Sequence, residues 1–399
     1  MTANDAVDMN SNGSAGRVWA VLSYRSGENT QILALAREFA SRSGWSLEIK
    51  RLDYRPAGVY NLLQPIGLLG VRQPTSSALK APWPDLVISA GLRNEPPCRW
   101  IREQSGGATR VVFLGRSWVS PERLDLLVTT PQYRVPGHAR VLQNQLTLHP
   151  VNASMLKSAG DQWRIAFDNY AGPRAGVLLG GSVGPYALGP SAIDAVARYL
   201  STSRFQSVLI SSSSRTAPGL ATRLAQQLDK PAFVYEWRPD DADNPYGGIL
   251  ALADELIVSG DSIAMISEAI ATSKPVRIID LGAGEWSMGS REGQASEQED
   301  IDLRARAYRG LMRYGHRRWT RDITLVHQQL IRSGRASWLG EKRLASQRPA
   351  HSDMDAAVDA IAALWPDQDS ATRGDGAVSS SKRPSTTRYT RSETSASAD

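Results

Sequence analysis

The richest set of groups able to hold a ligand lies in Ser259 to Ile279, SGDSIAMISEAIATSKPVRII. An aliphatic run predicts a strand that opens into a small-residue turn, where Asp261 or Ser262 is placed to cap the helix that follows. The first turn of a helix leaves backbone N–H groups free and carries the positive end of the macrodipole, so it suits a diphosphate. Glu268 falls about two turns further on and on the same face as Asp261, where a carboxylate can accept both hydroxyls of a ribose diol. Arg215, beside Thr216 and just after a predicted strand, can clamp a phosphate through two N–H groups. Gly180, Gly181 and Ser182 end another strand, and the glycines permit close backbone approach to a ligand.

Such groups need a scaffold of strand ends, and the chain supplies two series of them. Val18 to Leu22, Leu47 to Leu52, Asp85 to Ser89, Arg110 to Leu114 and Leu124 to Thr129 read as strands, with Gln31 to Ser43 as a helix carrying Ile32, Leu35, Ala36 and Phe39 on one face. Asp168 to Gly176, DNYAGPRAG, reads as a linker. A second series follows, with strands at Val177 to Leu179, Ser207 to Ser211, Phe233 to Glu236, Glu255 to Ser259 and Val276 to Asp280 and helices between them. The expected class is therefore α/β, with two Rossmann-like, doubly wound domains facing a cleft. Their bounds are 17–170 and 171–366, the second ending in helices that include Asp353 to Trp365. Residues 1–16 and the Ser-, Thr- and Arg-rich 367–399 are expected to be disordered.

Composition narrows the function. The 399 residues carry 46 Lys plus Arg against 40 Asp plus Glu, a net charge of +6. No compact basic run stands out inside the folded region, so nucleic acid is not an expected partner. The single cysteine, Cys98, excludes a disulfide framework or a multi-cysteine metal site and fits a reducing cytosol. Asp240, Asp241 and Asp243, like Asp300 and Asp302, read as solvated, and no metal site is expected. SSSSRT lacks the G-x-S-x-G frame of a nucleophile elbow, and the P-loop pattern is missing. Tyr60 to Val71, YNLLQPIGLLGV, is too short to span a bilayer and is a candidate for peripheral membrane contact.

The run S-G-D-S-x-x-M-x-S-E-A-x-A-T-x-K-P-V resembles the nucleotide-binding motif of GT-B glycosyltransferases, and more closely the ELM-type mitochondrial-fission family of bacterial and plant proteins. Upstream pieces agree in order: Gly27 with Gln31, Pro84-Asp85 with Gly91 and Arg93, Asp125, Gly180-Gly181, Ser214-Arg215-Thr216, and Asn244-Pro245-Tyr246 ahead of Ala253-Asp254. The resemblance spans about Val18 to Gly282. It implies that Ser262, Met265 and Glu268 face a nucleotide-sugar donor, and that the first half presents an acceptor hydroxyl. Glu28 is then the candidate general base, with Gly27, Gln31, Arg93 and Arg116 toward the acceptor or a phosphate; His138 and His149 are further base candidates.

Transfer without a metal or other cofactor is what the resemblance implies, since such enzymes hold the leaving diphosphate with helix dipoles and basic side chains. A glycan or lipid-linked acceptor at the inner face of the inner membrane would fit a cytoplasmic enzyme with the apolar segment 60–71. Two other functions stay open: a sugar-nucleotide epimerase, which needs acids such as Glu28 and Asp125 converging from both halves, and a non-enzymatic membrane scaffold of the kind the plant relatives suggest.

Overall fold

A computed structural model describes residues 16–22, 24–55, 67–289, 303–342, 344 and 352–365. The readings for 1–15, most of 60–71, Asp300, Asp302 and 366–399 fall outside these residues. The first half contains β1 (Arg17–Leu22), α1 (Ser26–Ser43), β2 (Ser46–Arg51), β3 (Leu86–Ala90), α2 (Glu95–Gln104), β4 (Arg110–Leu114), β5 (Leu126–Thr129) and β6 (Val141–Gln143). All its strands are parallel, in the order β2-β1-β3-β4-β5-β6. The central strands are uninterrupted aliphatic runs because parallel strands are covered on both faces: every residue of β3 is buried. Trp19, Cys98, Ile101 and Phe113 fill one side of this core.

Helix α3 (Ala153–Trp163) leads into the second half. There β7 (Arg174–Leu178), α4 (Pro190–Ser201), β8 (Ser207–Ser211), α5 (Leu220–Gln226), β9 (Ala232–Tyr235), α6 (Tyr246–Leu252), β10 (Glu255–Ser259), α7 (Ile263–Ala271) and β11 (Val276–Ile279) alternate strictly. Helices α8 (Leu303–Tyr314) and α9 (Thr324–Arg332), the short strand β12 (Ser337–Trp338) and α10 (Asp353–Ala362) complete the described chain. The second sheet is also wholly parallel, in the order β12-β11-β10-β7-β8-β9. Strand order reverses between β1 and β3 in one sheet and between β7 and β10 in the other. Ligands of doubly wound sheets bind at such points, beyond the carboxyl ends of the strands.

Several elements depart from the sequence expectation. Helix α1 starts at Ser26, so Gly27 and Glu28 belong to its first turn. Strand β7 begins inside the expected linker; Gly176 pairs with Leu209 and Leu256 in the ladder, and it is glycine because a Cβ there would come within 2.9 Å of both Ala253 and Leu256. The short edge strands β6 and β12 carry too little pattern to be read alone; neighbouring backbone recruits them. Helix α3 is unexpected too, and it packs where Gly247 leaves room for Met155 and Ala159.

Helix α10 belongs spatially to the first domain. The Asp353 carboxylate accepts from Gln145 N at 2.9 Å and Leu146 N at 2.8 Å, and Asp355 pairs with Arg42 at 2.7 Å. These contacts fasten the end of the described chain to the segment joining the domains. Asp353→Ala is expected to lower unfolding stability by about 2 kcal/mol, the loss of two charge-assisted bonds partly replaced by water, measured by urea titration.

Candidate functional site

The reversal of the second sheet brings together three loops far apart in sequence. Leu179–Ser182 follows β7, Ser212–Thr216 follows β8, and Gly260–Ser262 follows β10. At their junction the buried carboxylate of Asp261 accepts from Gly181 N at 2.8 Å, Ser259 Oγ at 2.6 Å and Arg215 Nη1 at 2.9 Å. Ser259 Oγ in turn accepts from Gly180 N at 2.7 Å. Burial pushes the Asp261 carboxyl up, opposed by Arg215, by the Ser259 hydroxyl and by the Gly181 amide.

This junction corrects several expectations. Asp261 does not cap α7, and Ser262, the residue before the helix, makes no side-chain capping bond either. Gly180 and Gly181 are close to protein, not held open for ligand: a Cβ on Gly180 would lie 2.4 Å from the Asp261 carboxylate, and one on Gly181 2.1 Å from the Arg215 carbonyl. Arg215 spends one amine on Asp261 while its side chain stays 40% exposed, leaving the rest of the guanidinium open to solvent. The Thr216 hydroxyl donates inward, toward the Leu179 carbonyl at 2.8 Å, and accepts from Ser213 N. Met265 packs, partly buried, against the second core. Ser182 is exposed.

Glu268, two turns along α7, remains partly exposed. Its Oε2 accepts from Tyr246 Oη at 2.5 Å, and burial raises its carboxyl to about 7. Tyr246 is the partner of Glu268 that sequence reasoning missed, although Asn244-Pro245-Tyr246 carried a signal. Helix α7 also joins the domains: Ser267 Oγ accepts from Thr147 N at 3.2 Å and lies 2.9 Å from Thr147 Oγ1, which can donate to it.

In the first domain Gly27, Glu28 and Gln31 follow β1 and Arg93 follows β3, so they flank that sheet's reversal. Glu28 lies 3.6 Å from Arg25 Nη1, and Arg93 lies over the exposed ring of Tyr24 at 4.7 Å. Gln31 donates its amide to the Gly27 carbonyl at 3.1 Å, and a Cβ on Gly27 would meet no protein atom within 4 Å. Arg116 is no phosphate ligand: its two amines donate to the carbonyls of Arg318 and Thr320 and its Nε is buried.

His138 pairs with Glu122 at 3.2 Å, and burial lowers the pKa of His149. Asp125 sits at the amino end of β5, the opposite edge from the site, accepting from Val111 N and pairing with Arg102 and Arg110. Among the described residues no group of three His, Cys, Asp or Glu side chains could hold a metal ion.

The two reversing parallel sheets, with their loops converging at strand ends, define an α/β protein of GT-B-like architecture. The chain belongs to the mitochondrial fission ELM1 family, whose model matches residues 26–299. The mitochondrial fission protein ELM1 of Arabidopsis thaliana is 26% identical over 192 residues, covering 46% of this chain and 40% of the plant protein. Among solved structures, Acinetobacter baumannii MurG shares 13% identity with a TM-score of 0.38, covering 87% of this chain and all but 1% of its own (99%). A Neisseria meningitidis UDP-GlcNAc 2-epimerase bound to UDP-GlcNAc shares 12% at a TM-score of 0.40, covering 79% of this chain and 100% of its own. A glycosyltransferase from Rickettsia africae shares 11% at 0.42, covering 80% and 97%.

Two outcomes test the site's energetics. Asp261→Ala strands the Gly181 amide and unpairs Arg215, and is expected to cost about 2 to 4 kcal/mol in chemical denaturation. Glu268 binds its proton more tightly folded than unfolded, so its contribution is fully present below pH 4.5 and is lost as pH rises toward about 7. Glu268→Gln, neutral throughout, should therefore match wild type near pH 5 and exceed it by about 1 to 2 kcal/mol at pH 8, allowing for the water that reaches the carboxyl. An offset that is the same at both pH values would refute the burial account.

Proposed function

We propose that this chain is a glycosyltransferase that moves a sugar from a nucleotide-sugar donor to an acceptor hydroxyl without a metal or other cofactor. The observation that carries the proposal is Glu268: a partly exposed carboxylate on α7 held by Tyr246, two turns from a helix start whose amides receive no side-chain cap, at the reversal of the second sheet. The diphosphate would rest on that first turn beside the exposed part of Arg215, and Glu268 would take the ribose hydroxyls, oriented by Tyr246. On the first domain, Glu28 would act as base toward an acceptor hydroxyl and Arg93 would hold an anionic group on it; a lipid-linked or envelope glycan is the acceptor class proposed. Epimerisation is disfavoured, because Asp125 lies at the wrong edge of its sheet.

A second reading, a non-catalytic scaffold, is favoured by one feature: Arg215 and Glu268 already hold protein partners, Asp261 and Tyr246. A thermal-shift series with UDP, GDP, CMP, dTDP and their sugar conjugates separates the two. One nucleotide at about 100 times its Kd should stabilise by about 2.7 kcal/mol, an effect lost in Glu268→Ala. Sugar transfer in EDTA should then follow with that donor. No shift from a folded protein would leave the scaffold reading standing.

A further inference from the structure

The expectation that the folded region lacks a basic run is wrong in one place. Between Leu303 and Arg321 the chain carries seven arginines and no acid, against +6 for the whole protein. The run forms α8 and the turn after it. Its apolar residues do not all point inward. Ala305 is buried and Tyr308 partly so, whereas Leu303 is 82% exposed, Tyr314 85% and Trp319 56%. Leu303, Arg306, Arg313 and Tyr314 recur at helical spacing, so charge and apolar surface share one outward stripe.

The turn after α8 is held in place by backbone contacts. Arg116 and Arg134 donate to the carbonyls of residues 317–320, and Arg318 donates to the Trp118 carbonyl at 2.8 Å. That last bond sets Trp118, 38% exposed, beside the turn that carries Trp319. Among the described residues Arg304, Arg306 and Arg317 have no carboxylate partner, while Arg313 pairs with Glu285.

We propose that this surface docks the protein on an anionic phospholipid bilayer. Guanidinium groups meet lipid phosphates while Leu303, Tyr314 and Trp319 enter the headgroup and acyl boundary, the combination by which an interfacial helix binds. A nucleic acid would satisfy the arginines but has no use for an exposed leucine at the head of the stripe; a bilayer satisfies both. The docking surface is distinct from the apolar segment 60–71 and does not depend on the transferase reading.

The test is vesicle flotation of the full chain. Vesicles of phosphatidylcholine with about 30% phosphatidylglycerol should carry the protein and pure phosphatidylcholine should not, with binding falling as salt rises from about 0.1 to 0.5 M. Arg304→Gln, Arg306→Gln and Arg317→Gln together should weaken partition roughly 100-fold, and Leu303→Ser with Tyr314→Ser roughly 10-fold, at unchanged Tm since all five side chains are exposed. The proposal is overturned by equal binding to neutral vesicles, or by indifference to the Leu303 and Tyr314 changes. It is also overturned if a single-stranded oligonucleotide displaces the vesicles and still binds the Leu303→Ser, Tyr314→Ser protein. Flotation appearing only after Glu297→Gln, Glu299→Gln, Asp300→Asn and Asp302→Asn would assign the arginines to the chain's own acidic run and equally overturn it.

Discussion

A carboxyl group buried where the second sheet reverses its strand order governs this structure. Asp261 can be ionised there only if every lone pair facing protein finds a donor, and the loops after β7, β8 and β10 are shaped to provide them. Gly180 and Gly181 have no side chains because the carboxylate and the Arg215 backbone occupy that space. Ser259 relays the carboxylate to the Gly180 amide, and Thr216 and Ser213 close the neighbouring loop on the same carbonyls. Three segments spread over some eighty residues are thereby locked as one unit.

That unit aims α7, and α7 carries the consequences outward. With Asp261 turned toward the loops, the first turn of the helix receives no side-chain cap. One face buries Ile263, Ile266 and Ala269; Ser267 meets Thr147 on the segment joining the domains; Glu268 is left with Tyr246 and solvent. The same segment is gripped by Asp353 of α10 through consecutive amides. The segment joining the domains thus contacts both α10 and the helix that carries Glu268.

Arginine serves three purposes here, separated by burial and not by sequence. Arg116, half-buried and with its pKa lowered by burial, is a fastener of backbone carbonyls. Arg215, half in solvent, neutralises a buried acid and keeps donors to spare. Those of α8 with no carboxylate partner face outward. A guanidinium has five donors in a rigid fork, so its use depends on which acceptors the fold sets before it.

Sequence alone determined the class of the fold, because strands covered on both faces must be continuous aliphatic runs and helices between them must repeat at 3.6 residues. It also required a polar partner for Glu268, since a carboxylate on so apolar a helix has to meet something polar. Tertiary structure decided who meets whom. Nothing local distinguishes Arg215, partly exposed and paired with Asp261, from Arg116, spent on carbonyls, and nothing near Asp261 says that it faces Gly181 instead of capping its own helix. Tyr246 reaches Glu268 across 22 positions, Thr147 reaches Ser267 across 120 and Asp353 reaches Leu146 across 207. Such pairings depend on how strands order themselves in a sheet, which periodicity does not encode. The outward stripe of α8 was likewise in plain sight as a run of arginines, but only burial shows that Leu303 and Tyr314 lie beside them in water instead of in the core.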